Sequence, residues 1–101
     1  MLLVLTTIST GEEAENLAET IMDKRLAACV QILPPMTSVY VWEGKLQRDS
    51  EHLLLIKTLE EKFDDLERFI LENHRYDIPE IVAVKAEAVS ERYLKWMTDS
   101  I

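Results

Sequence analysis

Few side chains in this sequence are able to do chemistry. In 101 residues there is one cysteine, Cys29, and there are two histidines, His52 and His74. Cys29 lies between Ala28 and Val30. A free thiol in an apolar strand acts as a small hydrophobe; the alternative is a thiol ligand or nucleophile. One cysteine cannot by itself build a Cys–His zinc cluster. His74 follows a helical stretch, where an imidazolium complements the negative end of the dipole; the alternative is contact with a metal or ligand. His52 stands beside Glu51 in a strand and reads as a surface or interface residue. Glu60, Glu61, Asp64 and Asp65 fall at a helix start. Carboxylates there suit the positive end of the dipole, with a loose cation site as the alternative. Tyr40, Trp42, Tyr76 and Trp96 fit either a pocket or the packing of subunits, since aromatic residues are enriched in interface cores. The sequence has no P-loop, dinucleotide fingerprint, nucleophile elbow or EF-hand pattern. Its two glycines, Gly11 and Gly44, are too far apart for a phosphate cradle.

Composition narrows the classes further. Lys and Arg total 11 against 19 for Asp and Glu, a net charge of -8. That balance argues against nucleic acid, whose phosphates need clustered Lys and Arg, and against anionic membranes. A hydrophobic fraction of 48% is that of a globular domain, and the length predicts one domain over 1–101. A single cysteine excludes a disulfide within the chain and agrees with a reducing compartment. The opening run Met1 to Leu5 is apolar, but it ends at Thr6, far short of the roughly 20 residues of a membrane span. It reads as a first strand, and the cytoplasm is the expected location.

The elements that position these residues follow from periodicity. Residues 1–7 read as a strand. Ser9 or Thr10 caps a helix over 12–25, with Ala14, Leu17, Ala18, Ile21 and Met22 on one face. A β-rich block follows over 27–58. It comprises 28–33, a break at Pro34 and Pro35, 37–42, a turn at Glu43-Gly44-Lys45, and a return strand over 52–58. A second helix spans 59–73 with Phe63, Leu66 and Ile70 inside and an Asp64–Arg68 pair outside. Pro79 ends its exit loop, 80–88 alternates as a strand, and Ser90 caps a last short helix with a Glu91–Lys95 pair. The order β-α-β-β-α-β-α predicts an α+β, ferredoxin-like βαββαβ sandwich with a short C-terminal helix.

Three strands are apolar on both faces. Leu2 and Val4 oppose Leu3 and Leu5, Leu54 and Ile56 oppose Leu53 and Leu55, and Val39 and Val41 oppose Tyr40 and Trp42. The two long helices cover one face. The other face is then expected to meet a second copy of the chain, with the third helix as a partial alternative cover.

With these residues in view, the sequence resembles the CutA family, the divalent-cation tolerance proteins. The resemblance rests on Lys24 to Val30, Thr37 to Lys45, Glu51 with Ile56-Lys57-Thr58, His74 to Ile81, and Tyr93-Leu94 with Trp96. It covers essentially the whole chain. It implies a ferredoxin-like subunit in a homotrimer, related in architecture to the PII signalling proteins. It also implies a role in tolerance of divalent metals, copper in particular. The family's proposed copper ligands are a cysteine near the end of the first strand and two adjacent histidines after the second helix. Thr6 and Asn73 stand at two of these positions here, so only His74 carries over as a metal candidate, with Cys29 a remoter one. In a trimer of this kind, Tyr40, Trp42, Lys45, Glu51, Lys57, Tyr76 and Glu80 are candidates for a ligand cleft between subunits. The expected ligand is Cu(II), another divalent metal or a small molecule. The rival expectation is an enzyme with its active site in that cleft.

Overall fold

The computed structural model describes residues Met1–Ile101. Five strands and three helices follow in the order β1 (Leu2–Ile8), α1 (Gly11–Asp23), β2 (Cys29–Ile32), β3 (Met36–Trp42), β4 (Lys45–Thr58), α2 (Phe63–Asn73), β5 (Val82–Lys85) and α3 (Glu91–Ser100). A 3-10 turn over Glu60–Lys62 leads into α2. The sheet is antiparallel, with β4 between β2 and β1, and β1 between β4 and β5. The segments β1-α1-β2 and β4-α2-β5 are therefore two interlocked crossovers, each split by a strand of the other.

Register fixes the faces. Leu2 pairs with Thr58, Val4 with Ile56, Thr6 with Leu54 and Ile8 with His52, so these share one face. Ala14, Leu17 and Ile21 of α1 and Leu66, Phe69 and Ile70 of α2 pack there, forming one core with Leu2, Val4, Ile8, Leu54 and Ile56. Both helices thus cover the same face, as the periodicity predicts. On the other face Leu3, Leu5, Leu53 and Leu55 are only half-buried. Part of it is covered by α3: the Lys57 ammonium lies 5.5 Å from the centre of the Tyr93 ring, and Met97 is fully buried outside the main core.

Several local expectations shift. The first helix stops at Asp23, not Arg25, because Arg25 adopts φ 55°. Its N–H donates to the Met22 carbonyl and that of Leu26 to Ile21, the two bonds of a Schellman ending. Met22 is exposed beside the helical stripe rather than inside it. Arg68 pairs with Asp65 at 3.1 Å instead of Asp64, and Lys95 with Asp99 at 2.8 Å instead of Glu91. Glu60 reaches Lys85 at 3.0 Å. The strand expected over 80–88 is confined to Val82–Lys85, an edge strand with Val82 and Val84 exposed.

The return strand is longer than the sequence suggests. It begins at Lys45, directly after a two-residue turn in which Glu43 and Gly44 both have positive φ, 49° and 78°. That is the turn whose twist suits an antiparallel ribbon. The strand β3 pairs only with the first half of β4. The pair projects from the body, and the molecule measures 45 × 26 × 23 Å. Its radius of gyration, 14.3 Å, exceeds the roughly 13 Å of a compact chain of this length.

Candidate functional site

The base of the projecting ribbon, the end of β1 and the loop after α2 border an open cavity of about 780 Å³. The ribbon supplies Ser38, Tyr40, Trp42, Asp49 and Glu51, and the loop supplies Tyr76, Asp77, Ile78 and Glu80. Five of the seven residues expected at a cleft, Tyr40, Trp42, Glu51, Tyr76 and Glu80, meet here. Lys45 and Lys57 do not line the cavity. Lys45 pairs with Trp42 at the ribbon tip, and Lys57 lies under the Tyr93 ring at the far end of the sheet.

A chain of hydrogen bonds holds the loop in place. Tyr76 donates its phenolic proton to Glu51 at 2.8 Å, which leaves Ser9 as the donor to the Tyr76 oxygen at 2.8 Å. Burial pushes the Tyr76 hydroxyl above its ordinary value; Glu51 adds to this and the Ser9 bond opposes it. Glu51 is 8% exposed, and no cationic side chain of the same chain pairs with it. Across the ribbon, Tyr40 donates to Asp49. Tyr40 lies opposite Gln47, so Asp49 is its diagonal neighbour. The hydrogen bond to Asp49, more than any other cause, pushes the Tyr40 hydroxyl up to about 12.

His74 closes the other side of the loop, and both its ring nitrogens are engaged. The Tyr76 backbone N–H donates to Nδ1 at 3.1 Å, so Nδ1 carries no proton. Nε2 then donates to the Thr7 carbonyl at 2.6 Å. The ring is a neutral bridge between β1 and the loop, not the dipole-complementing imidazolium expected from its helix-end position. It also meets the Tyr76 ring at a tilt of 51°, 4.5 Å between ring centres. His52 bonds the Leu33 carbonyl through Nδ1 at 2.9 Å, beside Gly11. Cys29 is half-buried and pairs with Lys57 on β4, away from the cavity.

The fit to a metal follows from these contacts. Within one chain no three His, Cys, Asp or Glu side chains form a metal-holding group. Cu(II) favours several nitrogen or oxygen donors in tetragonal array. His74 has no free nitrogen to offer, and the Cys29 thiol is elsewhere. One chain's residues therefore do not fit a copper centre.

Thr7, Ser9, Ser38, Asp49, Asp77 and Ile78 also line the cavity and escaped the sequence reading. The signal for Asp49 was present: a two-residue turn at Glu43-Gly44 fixes the register that brings it beside Tyr40.

Comparison with known proteins decides the family. Residues 2–100 match the family model described as CutA1 divalent ion tolerance protein. The chain belongs to this family. It is 42% identical over 99 residues to the protein named CutA, chloroplastic, of Arabidopsis thaliana, covering 98% of this chain and 54% of that protein. To the divalent-cation tolerance protein CutA of Thermus thermophilus it is 39% identical over 97 residues, covering 96% of this chain and 94% of the relative. The chain thus spans about half the length of its plant relative and nearly all of the bacterial one. Among solved structures, CutA1 from Oryza sativa superposes with a TM-score of 0.95 at 42% identity, covering 98% of this chain and 91% of that one. The Thermus thermophilus protein gives 0.92 at 40% identity, covering 96% and 95%. The fold is thus the mixed α+β, antiparallel-sheet fold of this family. No helix is long and apolar enough to cross a membrane.

Proposed function

We propose that this chain serves divalent-cation tolerance as a homotrimeric binding protein, with the cavity at the ribbon base completed by a neighbouring subunit and holding a small ligand. The observation that carries the reading is the projecting ribbon. Val41 and Leu46 are 66% and 68% exposed, and Ile78 on the adjacent loop is 73% exposed. A lone two-stranded ribbon is marginal in water, and an apolar patch of this kind marks an interaction surface. A second and third copy supply the missing cover. The strand order supports a ferredoxin-like subunit, and the trimer extends the likeness to PII-type signalling architecture.

The same reading places the protein in the cytoplasm, in keeping with its unpaired cysteine. Copper or another divalent metal enters only where more than one subunit contributes donors, since one chain lacks a set. The rival, an enzyme in the cleft, needs a group poised near neutrality. Tyr76 moves the other way, which makes it a hydrogen-bond donor rather than a base. Static light scattering on the purified chain is expected to give three times the chain mass; a monomer defeats the proposal. Calorimetric titration with Cu(II) on the same sample is expected to give the same heat for His74→Ala as for the parent.

A further inference from the structure

The ribbon meets the body at a joint with little backbone to hold it. The partners of β4 change between Glu51 and His52: Glu51 pairs with Met36 of β3, and His52 with Ile8, the last residue of β1. On the neighbouring strand, the link from β2 to β3 runs through Pro34 and Pro35, which have no N–H to give to a ladder. Between Leu33, whose N–H bonds the Leu53 carbonyl, and Met36, no residue is laddered to β4.

Side chains do the holding instead. His52 bonds the Leu33 carbonyl at 2.9 Å from within the joint. Tyr76 reaches across it. Its hydroxyl donates to Glu51, the last residue of β4 laddered to β3, and accepts from Ser9 in the turn after β1. The two residues before Tyr76 moor its loop to the body: His74 to the Thr7 carbonyl at 2.6 Å, and Arg75 to Glu13 of α1 at 2.7 Å. The Arg75 pair is largely exposed and contributes little by itself. The Tyr76 bond is the one that ties loop to ribbon. Its acceptor is a carboxylate, and such bonds are roughly twice as strong as neutral ones. Without the hydroxyl, the buried Glu51 loses its donor, and its solvation improves as the ribbon tilts away from the body.

We propose that Tyr76 is the positioning residue of a hinge: its bond to Glu51 keeps the ribbon seated in one direction before a neighbouring subunit arrives. The proposal rests on the reading of the ribbon as the assembly surface and names what sets its direction. A ribbon already fixed meets its partner without first losing orientational freedom, which is the gain of preorganisation. A swinging ribbon is competent for only a fraction of the time, and association slows accordingly.

The test reads the ribbon's motion and the rate of assembly separately. Trp42, the last residue of β3, reports from the ribbon tip. Its time-resolved anisotropy is measured in a Trp96→Phe background made monomeric by Val41→Asp. A new fast depolarising component is expected when Tyr76→Phe is added. Refolding of the full chain by dilution from urea, followed by light scattering, is expected to associate about tenfold more slowly in Tyr76→Phe, the scale of one charge-assisted hydrogen bond. Glu51→Ala is expected to match it, the double variant to add nothing, and Glu51→Gln, which keeps an acceptor, to stay near the parent. Thr58→Val weakens the body at the far end of β4 and controls for lost stability. The inference is overturned by a Trp42 decay in Tyr76→Phe equal to the parent's, by effects of Tyr76→Phe and Glu51→Ala that add, or by equal slowing in Thr58→Val at matched stability. A parent chain that scatters as a monomer defeats the assembly reading alone, and the Trp42 decay still decides this one.

Discussion

Thr6 and Thr58 stand on the same buried face of the sheet, yet their hydroxyls fare differently. Thr58 donates to the Leu26 carbonyl at 2.7 Å, whereas the fully buried Thr6 hydroxyl has no partner. An unsatisfied buried hydroxyl costs about 1–3 kcal/mol. Thr6→Val keeps the shape and removes the orphan, so it is expected to stabilise the fold by about 1–2 kcal/mol, read as a higher denaturation midpoint in urea. Thr58→Val, which strands the Leu26 carbonyl, is expected to destabilise. Tyr40 gives a second test at this scale. Its folded pKa of about 12 lies above the ordinary 10.0. The associated stabilisation is therefore present below pH 10 and is lost as the pH rises through 12. Absorbance titration should show one tyrosine ionising near 12, and Asp49→Asn should bring that step down. Both effects turn on partners far along the chain or around a turn, which is why residue type alone did not announce them. The sequence did show that Tyr40 and Tyr76 had chemistry to offer.

At the scale of elements, the turn and cap chemistry was partly readable. Ser9 or Thr10, and Ser90, were visible as caps; Thr10 and Ser90 each accept from the backbone N–H three residues on. The C-terminal end of α1 was not visible, because the left-handed position is held by Arg25 instead of the usual glycine. A side chain there is strained, so Arg25→Gly is expected to stabilise by about 0.5–1 kcal/mol, provided the two Schellman bonds persist; calorimetric melting checks it. The extension of β4 back to Lys45 was equally hidden. Polar residues at 47–51 interrupt the apolar alternation by which a buried strand is recognised, since this half of the strand lies outside the core. The expected Asp64–Arg68 and Glu91–Lys95 pairs gave way to Asp65–Arg68 and Lys95–Asp99. Exposed neighbours at three and four residues differ by only a few tenths of a kcal/mol, so spacing alone does not choose between them.

For the whole molecule, the fold leaves one chain unfinished. A core built on one sheet face coexists with a ribbon that packs on nothing but itself. Val41→Asp places a charge on the most projecting apolar surface, far from the core. If the chain assembles as proposed, this variant is expected to give monomers in light scattering while leaving the circular dichroism of the body intact; an unchanged oligomer would move the proposed interface elsewhere. The net charge of -8 acts at this scale too: it favours cations over anions near the surface.

The sequence by itself determined the element order, the helix-covered face and the family. Each of these depends on periodicity or on local pattern, which the chain carries in full. Only the tertiary structure decided that His74 is a strut with both nitrogens engaged, that Lys45 and Lys57 lie away from the cavity, and that Glu51 is buried and bonded to Tyr76. Those facts depend on which atoms meet across 25 to 67 positions of chain, and no spacing of residue types specifies that.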